Sequence, residues 1–169
     1  MATHDARPPL PDGLDGTGLR IGIVRARWNA AIVDRLVDGV RRGLRQASVA
    51  DDAVVELSVP GSFEVPFGAK VLAESGRVDA VVCVGLVLRG ETRHYDLVAG
   101  ECARGIQDVQ LATGVPVAFG VLATEDEAQA EARSEGPGGH NAGEEAALVA
   151  VEMAGHVRRF RPQPERSPG

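Results

Sequence analysis

Of the four histidines in this chain, His94 stands where a proton can be traded with a bound ligand. In the run Gly85-Leu86-Val87-Leu88-Arg89-Gly90-Glu91-Thr92-Arg93-His94, an apolar stretch stops at Arg89 to Thr92, and a new amphipathic segment opens around His94. The pattern reads as a buried parallel strand, a short loop at its carboxyl end and a helix start. Gly90 lets the backbone approach a ligand closely. The N–H groups of Glu91 and Thr92, beside a helix N-terminus, suit an anion such as phosphate. The imidazole is the one side chain there that changes charge near neutral pH. Each of these residues also serves as ordinary first-turn capping, so the argument for chemistry rests on convergence with other loops.

Three further loops follow strands and carry unusual groups. Trp28, the only tryptophan, falls just past the first expected strand. A flat indole there stacks on a planar heterocycle, or else plugs a core or an interface. Pro60-Gly61-Ser62-Phe63-Glu64 offers N–H groups at a helix start and a carboxylate that accepts from hydroxyls. Plain helix capping by Ser62 accounts for the same residues. With the fourth strand come Phe119 and, downstream, Arg133, a guanidinium suited to phosphate. His140-Asn141 adds a further basic or capping pair. Gly18 to Gly22 enters a strand instead of following one, so it is no dinucleotide fingerprint. Cys83, inside an apolar run, reads as a small buried hydrophobe, and two cysteines without CxxC spacing make neither a zinc site nor a disulfide framework.

These loops need strands and helices to hold them. Strands are expected over 19–24, 53–59, 78–86 and 115–122. A helix is expected over 30–46, where Ile32, Val33, Leu36, Val37, Val40 and Leu44 recur at the helical period. Others are expected over 64–74, 95–112, 125–133 and 142–159. Thr124 is the expected cap of the fourth helix, with Glu127 completing a capping box, and Asn141 caps the last. Strands alternating with helices imply α/β: a flavodoxin-like three-layer α/β/α sandwich on a four-stranded parallel sheet. Ligands bind at the carboxyl edge of such sheets. Residues 18–160 form the single domain, between a disordered or loosely ordered leader over 1–17 and a Pro-rich disordered tail over 161–169. So small a sheet leaves apolar helix surface uncovered, which points to an oligomer.

Composition excludes some partners. A net charge of −6 argues against non-specific nucleic-acid or membrane binding, and no run of 18 apolar residues exists to span a bilayer. The leader lacks the apolar stretch of a secretory signal, so the cytoplasm is the default compartment.

Four segments, taken in order, resemble the lumazine synthase family: 23–29 (IVRARWN), 59–66 (VPGSFEVP), 89–96 (RGETRHYD) and 113–122 (TGVPVAFGVL). The resemblance runs from about residue 19 to 155. It implies the flavodoxin-like fold, a homopentamer (twelve pentamers forming a capsid in some members) and sites between adjacent subunits. The implied reaction condenses 5-amino-6-(D-ribitylamino)uracil with 3,4-dihydroxy-2-butanone 4-phosphate, with no metal or organic cofactor. It places Trp28 on the pyrimidine, and Ser62, Phe63 and Glu64 along the pyrimidine and ribityl chain. The backbone of Leu86, Val87 and Leu88 reads the ring edge. Glu91 and Thr92 bind phosphate, and His94 transfers protons. Phe119 and Arg133 come across the subunit boundary, Arg133 towards phosphate. One departure stands out: in His140-Asn141-Ala142-Gly143, Ala142 occupies the position where lysine is usual, and His140 is the candidate replacement cation. That departure keeps open a paralogue of the same fold that binds a lumazine or flavin without turnover, or that forms a shell. The interruption over 134–139 favours a pentamer over a capsid.

Overall fold

Parallel ladders, not apolar runs, set where the strands begin and end. The computed structural model describes residues 9–161. It contains β1 (Ile21–Ala26), β2 (Val54–Val59), β3 (Ala80–Leu88) and β4 (Val117–Thr124), all parallel, in the order β2-β1-β3-β4. Three of the four are displaced about two residues towards the C-terminus of their expected spans. Leu19 and Val78 are buried but precede the ladder, where Asp79 N donates to Arg20 O at 2.7 Å. At the other end Arg25, a charged residue, still pairs with Ser58 and Val84.

Side chains alternate across the sheet, and both faces are apolar, as a sheet covered on both sides requires. Ile21, Ile23, Val82, Val84, Ala118 and Leu122 pack on one face beneath α1 (Ala30–Gln46) and α5 (Ala142–Phe160). Val24, Val81, Cys83 and Val121 pack on the other beneath α2 (Val65–Glu74) and α3 (His94–Thr113). This is the three-layer, flavodoxin-like α/β sandwich. The α1 boundaries are those its periodicity predicts, with Ile32, Val33, Leu36, Val37, Val40 and Leu44 all buried. The α5 helix meets the core through Ala146, Ala147, Ala150 and Ala154, and Asn141 caps it, accepting from Gly143 N at 2.9 Å and Glu144 N at 3.1 Å.

The fourth helix corrects an expectation. α4 is only Glu127–Glu131, and its cap is Asp126, whose carboxylate accepts from Gln129 N at 2.8 Å. Thr124 remains in β4 because β3 runs on to Leu88 and pairs with it; its hydroxyl donates to Asp126 O at 2.9 Å. Arg133 therefore lies beyond the helix. Of the leader, residues 1–8 lie outside the described residues; Gly16 is buried, its N–H donating to Ala47 O at 2.6 Å. The tail from 162 onwards lies outside the described residues.

Candidate active site

The strand order opens a crevice. The chain leaves β1 for β2 on one side and then crosses to β3 on the other, so the loops after β1 and β3 part at the carboxyl edge. There β3 outruns β1: its ladder with β1 ends at the pair Arg25 and Val84, while its ladder with β4 continues to Leu88 and Thr124. A cleft of about 680 Å³ lies over this overhang. Leu86, Val87 and Leu88 form its floor, Trp28 and Asn29 one wall, and Ser62, Phe63 and Glu64 another.

Trp28 is 66% exposed, so it is no core plug. Its ring is braced from behind by Gly61, where a Cβ would come within 2.5 Å of ring carbon Cε3. Any larger residue at 61 would push the indole away. Arg27 N donates to Val59 O at 2.8 Å and Trp28 N to Pro60 O at 3.1 Å, fastening the loop after β1 to the loop after β2. Asn29 then turns the chain into α1 through a left-handed conformation, φ 59 and ψ 44, which asparagine tolerates better than most side chains. Its amide donates to Leu86 O at 3.3 Å, and the buried Ser62 hydroxyl donates to the same carbonyl at 3.2 Å. These two side chains hold the end of β3 where its β1 partner has stopped. Ser62 is thus a strap from the loop after β2 to the end of β3, not a helix cap. The Glu64 carboxylate accepts from Gly61 N at 3.0 Å.

The remaining wall is α3. His94, Leu97, Val98 and Glu101 all line the cleft, one helical face at i, i+3, i+4 and i+7. Gly90, Glu91 and Thr92 lie exposed just before it, and His94 N donates to Thr92 Oγ1 at 3.3 Å. Leu97, Val98, Glu101 and Asn29 were not singled out from the sequence. The helical spacing from His94 contained the signal for the first three. For Asn29 the only hint was an asparagine at a strand-to-helix junction.

Five candidates do not line this cleft: Glu91 and Thr92, in the loop just before α3, and Phe119, Arg133 and His140, elsewhere in the fold. Phe119 is half exposed on the edge strand β4. Arg133 donates through its guanidinium to Gln129 O at 3.0 Å. His140 Nε2 is 3.3 Å from Glu145 Oε1, and the His140 backbone N–H donates to Glu135 Oε2 at 2.8 Å. Arg133 and His140 are nonetheless neighbours, because an antiparallel bridge between Ser134 and Asn141, together with the bond from Ala142 N to Arg133 O at 2.9 Å, folds their segments together. The guanidinium and the imidazole thus share one corner.

Other groups offer less. A cleft of about 490 Å³ at the opposite sheet edge includes Arg20, Asp79 and Arg158, but Arg20 is already tied to Asp79 at 3.2 Å and Arg158 donates to Thr17 O at 3.2 Å. Both cysteines are buried; burial pushes the Cys83 thiol upward and the Cys102 thiol up to about 12, so neither is a ready nucleophile.

Fold and cleft together define a flavodoxin-like α/β protein whose candidate ligand site sits at the switch point of its sheet. The 6,7-dimethyl-8-ribityllumazine synthase family matches residues 18–158. Proteins carrying that name are similar over most of their length. One from Xanthomonas oryzae pv. oryzae (strain PXO99A) is 46% identical over 149 residues, 88% of this chain and 91% of the relative. One from Thermococcus gammatolerans is 48% identical over 148 residues, covering 88% and 94%. One from Xanthomonas euvesicatoria pv. vesicatoria is 48% identical over 137 residues, covering 81% and 88%. The chain belongs to the 6,7-dimethyl-8-ribityllumazine synthase family.

Proposed function

We propose that the cleft over the β3 end is one half of the catalytic site of this chain, and that an adjoining copy supplies the other half. The chain is a transferase of riboflavin biosynthesis. It condenses 5-amino-6-(D-ribitylamino)uracil with 3,4-dihydroxy-2-butanone 4-phosphate to 6,7-dimethyl-8-ribityllumazine, releasing phosphate and water. The observation that supports this site is the meeting of Trp28, the Ser62 to Glu64 segment, the end of β3 and His94 around one cleft.

In this reading the pyrimidine stacks on Trp28, its edge faces the backbone of Leu86, Val87 and Leu88, and Glu64 accepts from ribityl hydroxyls. The N–H groups of Glu91 and Thr92 seat the phosphate. The amine attacks the ketone and one water leaves to give an imine, phosphate leaves by elimination, and the ring closes with loss of a second water. His94 carries the proton transfers. Most of the acceleration comes from holding the two reactants together, which supplies about 7–11 kcal/mol of barrier reduction, with acid–base help adding about 10²–10⁴-fold.

Two unlike apolar surfaces support a second copy. Phe67, Val71, Leu97 and Leu111 are exposed on α2 and α3, while Phe119, Val149 and Met153 are exposed on β4 and α5. Large apolar side chains exposed on several elements point to an interaction surface. A contact between two different faces is head-to-tail, and it closes into a ring when the rotation permits. A homopentamer of this kind would bring Phe119, Arg133 and His140 of one copy to the cleft of the next. Among the described residues no helix is long and apolar enough to cross a membrane, and the reading places the enzyme in the cytoplasm. Mixing the two substrates with the protein and following lumazine absorbance and fluorescence tests the reaction; sizing under assay conditions tests the assembly. A fully active monomer would overturn the shared site.

A further inference from the structure

Arg89 is the last residue before the loop over 90–93, and the cleft itself assigns it nothing. Its backbone still belongs to the sheet, the N–H donating to Thr124 O at 2.9 Å. Its side chain reaches elsewhere. Nε lies 2.8 Å from Glu125 Oε2, one terminal nitrogen lies 3.5 Å from Asp96 Oδ1, and the guanidinium carbon sits 4.2 Å from the centre of the Tyr95 ring. One cation therefore joins the end of β3, the first turn of α3 and the turn after β4. The loop between has little holding it from within. Gly90, Glu91, Thr92 and Arg93 are exposed, a Cβ at Gly90 would meet open space, and the bond from His94 N to Thr92 Oγ1 is long at 3.3 Å.

Resting on the reading of that loop as the phosphate seat, we propose that Arg89 is a positioning residue. It clamps both ends of the 90–93 loop, so that the loop N–H groups and His94 keep a set separation from the end of β3. Arginine suits the task better than lysine, because a planar guanidinium lies over an aromatic ring while its edge meets carboxylates. With Glu125 and Asp96 already against it, the cation is directed at the protein and not at the substrate. A loop ordered before binding spares the ligand the entropy of ordering it.

The test is steady-state kinetics on the assembled full chain, each substrate varied in turn, for Arg89→Gln, Glu125→Gln and the double variant. Arg89→Gln is expected to raise KM for the phosphorylated ketone about tenfold, with KM for the pyrimidine within about twofold of wild type. Glu125→Gln, an exposed change, is expected to raise the same KM in the same direction. The double variant should fall short of the product of the two, as coupled partners do. If Arg89 met the phosphate directly, Glu125→Gln would release it and lower that KM, which overturns the positioning role. A rise of both KM values together, or a lowered Tm with unchanged kinetics, overturns it as well. Calorimetric titration with inorganic phosphate reads the same loop without turnover, and parallel weakening in both single variants is the expected result. Unchanged phosphate affinity in both overturns the clamp, whereas a wild type that binds phosphate but makes no lumazine overturns only the proposed reaction.

Discussion

At the end of β3, loops from one chain already meet around a cleft; at the corner between α4 and α5, Arg133 and His140 are held in place yet neither lines that cleft. The first region is straddled by straps within the chain, with Asn29 and Ser62 both on the Leu86 carbonyl and Trp28 braced on Gly61. The second is a hairpin tied by the Ser134 to Asn141 bridge and by the Asn141 cap, and fastened to α1 by the bond from the Asn141 amide to Arg35 O at 3.0 Å. One chain alone thus gathers the pyrimidine half of the proposed site, while Arg133 and His140 would reach that site only from an adjoining copy, as the proposal has it.

The largest effect that could break this comparison is complementation. His94→Ala chains and Arg133→Ala chains, each poorly active alone, should recover about a quarter of wild-type turnover after co-refolding in equal amounts. That is the chance, under random mixing, that an intact cleft faces an intact corner in a head-to-tail ring. Activity that merely averages the two variants would place both halves in one chain.

Single variants sharpen it. His94→Ala should lower kcat about 10²-fold while leaving measurable lumazine formation, because positioning carries more of the barrier than proton transfer. Loss of all detectable product would reverse that ranking. Arg133→Ala should raise KM for the phosphorylated ketone by about 10–100-fold, the worth of a charge-assisted hydrogen bond, and leave the pyrimidine KM nearly unchanged. Trp28→Ala should do the opposite, raising the pyrimidine KM about tenfold through loss of a stacking partner.

The smallest effect lies at the far sheet edge. Burial pushes the Asp79 carboxyl up, but hydrogen bonds from the Arg20 side chain and backbone N–H outweigh this and hold it below the ordinary value of 3.8. A depressed folded-state pKa contributes stability that is present above the unfolded pKa and lost as pH falls through the folded value. Thermal unfolding should therefore show an acid limb below about pH 4 that Asp79→Asn reduces, with kcat and both KM values unchanged at neutral pH. A shifted KM would mean that the two edges communicate.

Much of this was legible beforehand, for reasons that differ by residue. The α1 span followed from six apolar positions at helical period, and the Asn141 cap from its place before an Ala-rich helix. The apolar run around Cys83 predicts a buried thiol, and Cys83 is buried. The strand ends were misplaced because hydrogen-bond register, which leaves no mark on hydropathy, decides where a ladder stops. Thr124 and Asp126, two residues apart, both satisfy the cap pattern in the sequence, and only the length of β3 chooses between them. Ser62 looked like a local cap because its true partner, Leu86 O, is 24 residues away.

Chain chemistry alone determined the class of fold and supplied the aromatic, imidazole and guanidinium groups offered as site candidates, because periodicity and residue type are local properties. Tertiary structure alone decided which of those groups share a cleft, where Arg89 reaches, and that Arg133 and His140 occupy a corner of their own. Those outcomes depend on strand order and register, which pair residues far apart in sequence through backbone groups that every residue carries alike.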